Sequence, residues 1–254
     1  MKAMPQPASR SPRLAPWLAS FAMLTVCLAA PLCADVCNPT DLQGLYGFQL
    51  SGDTAISGES KPVTSVGSLL LASDGGISGT STVMFAGLLL GNPVTGTFEA
   101  HWDCTVVWSL QDDSGAFQHF SGIATHGGRN VDFRQTDPRG SVHGNMARTA
   151  ADCKASALRN EYAFSMAGSS TPMLPGETTT VIAYKGSIKA GENGIFKFGA
   201  TDVTMNVDAG CTVVIQLALP QPINLRGMLV DEGKRILAIG TDPGQMVSAT
   251  FTAP

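Results

Sequence analysis

The chain has 254 residues, a formal net charge of -4, 44% hydrophobic and 14% charged side chains, and six cysteines. No cluster of Lys and Arg able to release counterions from a phosphate backbone lies beyond the first residues. The composition therefore argues against nucleic acid and anionic membrane surfaces as partners.

Residues 1–34 read as an export leader. Lys2, Arg10 and Arg13 precede an apolar run from Leu18 to Leu32, no acidic residue interrupts it, and Ala34 offers a small residue for cleavage before Asp35. The competing reading, a membrane anchor, is disfavoured because the run is shorter than the ~20 residues of a spanning helix. Neither Cys33 nor Cys37 follows the small residue that lipoprotein processing needs, so lipid anchoring is not expected. Removing the leader leaves 13 basic against 20 acidic residues, a net charge of -7, together with four cysteines and no expected membrane span.

The rest reads as strands. Val, Thr, Ile and Phe alternate with polar residues between short turn clusters, which predicts strands near 44–51, 63–73, 77–86, 94–103, 104–111, 117–125, 129–136 and 141–148. Residues 149–152 read as a linker. A second series follows near 160–168, 179–190, 194–200, 202–209, 211–219, 223–230, 234–241 and 245–253. Asp137-Pro138-Arg139-Gly140 and Asp242-Pro243-Gly244 read as hairpin turns, the proline presetting φ and the glycine accepting positive φ.

The two series are copies of each other. Cys37 is followed nine residues on by Tyr46, and Cys153 nine residues on by Tyr162. Gly67-Ser68-Leu69 then matches Gly186-Ser187-Ile188, Cys104-Thr105-Val106-Val107 matches Cys211-Thr212-Val213-Val214, and Thr136-Asp137-Pro138 matches Thr241-Asp242-Pro243. Order-preserving similarity of this kind marks an internal duplication. It divides the mature chain into 35–148 and 153–254. It also favours Cys37 with Cys104 and Cys153 with Cys211 among the three pairings of four cysteines, since each ancestral unit would have satisfied its own pair. The stretch from Ile195 to Cys211 is 16 residues where Ile77 to Cys104 is 27, so two strands of the second copy are candidates for merging. Sequential antiparallel strands with short connections must remove their edges. The expected fold is therefore all-β: two tandem antiparallel barrels, or barrel-like sandwiches, of six to eight strands each.

Cys37, Leu42-Gln43-Gly44-Leu45-Tyr46-Gly47-Phe48, Cys104-Thr105 and Gln135-Thr136-Asp137-Pro138 together resemble exported bacterial proteins of unknown function built on calycin-like or allene-oxide-cyclase-like barrels. The resemblance implies a fold, within which such barrels hold small apolar ligands, catalyse isomerisations in their mouths, or do neither. No catalytic residue of the cyclases matches a motif here.

Few residues suggest chemistry. The cysteine spacings lack the short pairs of a zinc site, and no metal or other cofactor is expected. His101, His119, His126 and His143 all fall in the first copy and read as solvent-facing strand residues. Asp113-Ser114-Gly115 resembles a protease nucleophile loop, but no histidine loop precedes it and no Gly-x-Ser-x-Gly elbow exists, so no catalytic residue is assigned. Trp102, Trp108, Phe117 and Phe120 concentrate in the first copy, where they could line a pocket or a sugar-stacking face, with core filling as the alternative. Phe85-Ala86-Gly87-Leu88-Leu89-Leu90 has no counterpart in the second copy and reads as an inter-domain seam or a lip. The best-fitting class is an exported, non-catalytic binding or interaction protein whose partner is a small apolar ligand, a glycan or a protein. A barrel-mouth isomerase or cyclase and a structural surface component are the alternatives.

Overall fold

The computed structural model describes residues 37–254 except 57–58, 113–114, 116, 173–175, 177, 192–193 and 220. The leader, its cleavage point and the Asp113-Ser114 pair lie outside the described residues. The first copy forms β1 (Gly44–Ile56), β2 (Glu59–Leu71), β3 (Gly76–Phe85), β4 (Leu88–Ala100), β5 (Thr105–Asp112), β6 (Phe117–Thr125), β7 (Asn130–Gln135) and β8 (His143–Arg148). The second forms β9 (Glu161–Ser170), β10 (Val181–Ala190), β11 (Phe196–Phe198), β12 (Thr201–Val207), β13 (Thr212–Leu217), β14 (Ile223–Val230), β15 (Arg235–Gly240) and β16 (Gln245–Thr252). Each set is an antiparallel meander closed on itself, β1 pairing with β8 and β9 with β16. The expected pair of barrels is present, with eight strands in each. The shortened stretch does not merge two strands: β11 keeps three residues and its own pairing with β10 and β12.

Alternation places Tyr46, Phe48, Leu69, Leu71, Val106, Trp108, Phe120, Val131 and Met146 inside the first barrel. Tyr162, Phe164, Met166, Ile188, Val203, Ile215 and Phe251 lie inside the second. The Cys37–Cys104 and Cys153–Cys211 disulfides join positions with Cα–Cα separations of 4.9 and 4.8 Å. Each closes a long loop, and the chain-entropy model assigns such a crosslink about 4 kcal/mol, an upper-end figure.

A second element is also duplicated. His126, Gly127 and Gly128, between β6 and β7, all have positive φ, as do Asp231, Glu232 and Gly233 between β14 and β15. Each of these left-handed turns is held by a buried tyrosine. Tyr46 Oη donates to the Gly128 carbonyl, and Tyr162 Oη to the Gly233 carbonyl at 2.8 Å. Burial pushes the Tyr46 phenol up to about 12, against the opposing Arg148 guanidinium 5.2 Å above its ring, and burial raises that of Tyr162 too.

Both barrels belong to one compact unit. The outer faces of β1, β2 and β3 pack on β14, β15 and β16, so the end of β14 and most of β15 are buried on both sides and lose the usual alternation. Val66, Met84 and Ala147 of the first barrel join the core cluster of the second beside Met228, Val230, Leu237 and Ile239. The buried Gln49 side chain donates through Nε2 to the carbonyls of Ala238 and, at 3.0 Å, Ala249. Around this contact, Arg129 pairs with Glu232, and Arg235 Nη2 donates to Asn130 Oδ1 at 2.6 Å. Thr149 N–H bonds the Leu45 carbonyl and Ala150 N–H the Leu229 carbonyl, so the connecting segment is tied to both barrels. The β3–β4 tip touches the second barrel through the Gly244 N–H to Gly87 carbonyl bond, while Leu88, Leu89 and Leu90 remain exposed.

Candidate functional site

The structure divides the four aromatic candidates into two kinds. Trp108 (6% exposed) and Phe120 (2%) lie inside the first barrel, stacked with ring centroids 5.5 Å apart, and Phe133 packs edge-on against both. The apolar gap beside Trp108, lined by Leu69, Leu71, Ile77, Phe98, Val106 and Met146, has no room for a water-sized molecule. Trp102 (65%) and Phe117 (57%) are exposed. Trp102 sits in the β4–β5 turn, where its carbonyl accepts the Cys37 N–H. Phe117 opens β6, opposite Gln111 at the far end of β5. The outward aromatics are thus at opposite ends of the barrel, and only Trp108 and Phe120 are brought together.

Around Phe117 the pleat and register build a polar face. Thr97 on β4 lies opposite Ser109 on β5, and Ser109 opposite His119 on β6. Gln111 and Phe117 form the neighbouring row; Glu99, Val107 and Ser121 lie on the other side. Residues two apart on a strand share a face, so Phe117, His119 and Ser121 all point outward. Thr97, Glu99, Val107, Ser109, His119, Ser121 and Thr136 line a groove of about 440 Å³. Thr97 Oγ1 and Ser109 Oγ hydrogen-bond at 3.3 Å, and Gln111 Nε2 donates to the Gly115 carbonyl at 3.0 Å.

His119 is fixed by the turn aspartate. Asp137 Oδ2 accepts the His119 backbone N–H at 2.7 Å, and Asp137 Oδ1 lies 2.7 Å from the ring Nδ1. Gln135 Nε2 adds a third bond to Oδ2 at 3.0 Å. A carboxylate only accepts, so Nδ1 carries the proton and, in the neutral ring, Nε2 keeps its lone pair. Burial opposes ionisation of Asp137, but the hydrogen bonds from the His119 N–H, the Gln135 amide and the His119 ring outweigh it and hold the carboxyl below its ordinary value.

The second barrel shows what this clamp is for. Asp242 Oδ2 accepts the Asn224 N–H at 2.9 Å, and Asp242 Oδ1 accepts Asn224 Nδ2 at 2.7 Å. The backbone bonds Thr136 N–H to the His119 carbonyl and Thr241 N–H to the Asn224 carbonyl complete the match. Asn and His do the same work, tying the last hairpin turn to the strand two back in order. The row Ser109, His119, Asp137 therefore is not by itself a catalytic triad. Among the described residues no hydrogen bond joins Ser109 to His119, and the counterparts in the second barrel are Gln216, Asn224 and Asp242. What His119 adds over Asn224 is a second ring nitrogen, Nε2, which has no hydrogen bond among the described residues.

Sequence reading found the turn aspartates but not their partners. The signal was present, since each aspartate follows its His or Asn by 18 residues. The four histidines do lie at the surface: His101 is 3.8 Å from Glu99, His126 Nδ1 is 3.2 Å from Thr125 Oγ1, and His143 faces Arg134 across β7–β8. Among the described residues no group of three His, Cys, Asp or Glu side chains converges as a metal site, and no helix is long and apolar enough to cross a membrane.

No family model matches the chain, and no curated protein is significantly similar to it. Among solved structures, similarity is found to the Myxococcus xanthus hemagglutinin in complex with a3,a6-mannopentaose. It has 13% identity, covers 82% of this chain and 84% of that chain, and has a TM-score of 0.16. At that TM-score the likeness is no basis for assigning a fold or a ligand.

Proposed function

We propose that this is an exported, non-catalytic binding protein that takes a glycan on the outer face of β4–β6 of its first barrel. The observation that carries the reading is the row Thr97, Ser109 and His119 beside the exposed Phe117 ring. Hydroxyls and an imidazole nitrogen of fixed tautomer supply directional bonds to sugar hydroxyls, and the ring supplies a stacking face. The filled apolar gap beside Trp108 supports an outer site over a small apolar ligand held inside. Within the same proposal, residues 1–34 are the leader, the mature chain has units 35–148 and 153–254 joined by 149–152, and the disulfides form in an oxidising compartment. Kinship with exported calycin-like proteins belongs to it as well.

The test is titration of the mature, disulfide-bonded chain on a glycan array, repeated with Phe117→Ala and His119→Asn. Binding that weakens roughly tenfold in each variant is expected, from the loss of a stacking face and of an acceptor. Binding untouched by either substitution would refute the site.

A further inference from the structure

We propose that the glycan bound on this face is anionic and that Arg134, with His143 beside it, receives its charged group. This rests on the glycan reading above and names the chemical class of its ligand. Arg134 and His143 are cross-strand partners on β7 and β8, both exposed, on the wall of a second groove of about 440 Å³. That groove shares the lining residue Thr136 with the first, so the two are neighbours on the barrel surface.

The charge at this place is uncompensated. Among the described residues Arg134 has no ion-pair partner: Asp137 is engaged by His119 and Gln135, and Asp132, two residues back on β7, forms no pair with it. No carboxylate lines the groove. Its remaining polar side chains, on Gln135, Thr136 and Ser141, suit sugar hydroxyls. A guanidinium presents a planar fork of donors that matches a carboxylate or sulfate, and it does so here beside the hydroxyl and imidazole row. The second barrel repeats none of this, because Ile239 and Ser248 are the cross-strand pair at the corresponding register, against the first barrel. With a mature net charge of -7, general attraction to a polyanion is absent, so attachment to one requires a local site.

Affinity electrophoresis of the mature chain tests this in gels containing polygalacturonate, dextran sulfate, or neutral dextran and mannan, with Arg134→Ala and Arg134→Lys in parallel. Retardation by an acidic polymer, weakened roughly tenfold by Arg134→Ala, only partly restored by Arg134→Lys and reduced by salt, is the expected result. Whether polygalacturonate or dextran sulfate retards the chain assigns the group as carboxylate or sulfate. Retardation by the neutral polymers to the same degree, indifferent to Arg134→Ala, would overturn the inference and leave the glycan reading standing. No retardation by any polymer would overturn both. An unchanged thermal midpoint in Arg134→Ala separates lost binding from lost folding.

Discussion

His119 and Asn224 occupy matching positions in the two barrels and make the same pair of bonds to a turn aspartate. Both donate to a turn aspartate, so His119→Asn should keep the clamp and change stability by no more than a surface substitution does, about 0.5 kcal/mol, as read by thermal unfolding. Asp137→Ala removes the acceptor for three donors and should cost about 1–3 kcal/mol. The pH dependence follows from the lowered Asp137 value. A carboxyl whose folded pKa lies below its unfolded one contributes fully above the unfolded value, near pH ~4, and loses that contribution as pH falls through the folded value. The difference in thermal midpoint between wild type and Asp137→Asn should therefore be full at neutral pH and shrink as the pH falls below the unfolded value of about 4, as measured by calorimetry. A constant difference across that range would mean that the carboxylate charge is not what the clamp uses.

At the scale of strands, most of the architecture was legible because period-two alternation and duplicated turns are local signals. The strand ends were less so. Cys104 and Cys211 have φ of 68° and 64°, so each disulfide cysteine stands in a left-handed turn just outside the strand it was expected to begin. The merging of two strands failed because β11 needs only three residues to bridge β10 and β12. The contact between barrels was written in the unbroken apolar runs Met228-Leu229-Val230 and Ile236-Leu237-Ala238-Ile239, which mark strands covered on both faces. The matching signal on β1 is Gly47. A Cβ there would meet Val230 Cγ1 at 2.6 Å and Met228 Cβ at 2.7 Å, whereas its counterpart Ala163 is exposed and carries a methyl freely. Gly47→Val should lower stability by about 1–3 kcal/mol through overpacking, while Ala163→Val should be nearly neutral, as denaturant midpoints would show. Equal effects would place the barrel contact elsewhere.

At the scale of the whole molecule, the two barrels meet through different faces: β1–β3 of the first against β14–β16 of the second. Such a heterologous contact is not self-closing and would propagate if the equivalent faces stayed free and sticky. In the first barrel the face equivalent to β14–β16 carries Asp132, Arg134 and His143, where the second has Leu237, Ile239 and Ser248. These charges keep that face wet. Asp132→Leu combined with Arg134→Ile should raise self-association in sedimentation velocity relative to the wild-type chain, and unchanged sedimentation would show that other features limit assembly. The candidate site itself was only half legible. The sequence showed aromatics and histidines concentrated in one copy, but which aromatics point outward depends on strand register, and the neighbours of Phe117 come from β4 and β5.

The central claim is that the outer face of β4–β6, and not the barrel interior, is where this protein binds. Beyond residue 34 the chain has two tryptophans, Trp102 and Trp108, the latter inside the first barrel beside the packed apolar gap. Heteronuclear NMR of the labelled mature chain during titration with a glycan selected from the array would report both regions at once. The account predicts shifts at Thr97, Ser109, Phe117 and His119 with the Trp108 indole signal unmoved. A large shift of the Trp108 indole, with the Phe117 and His119 signals unmoved, would place the ligand inside the barrel and contradict the account.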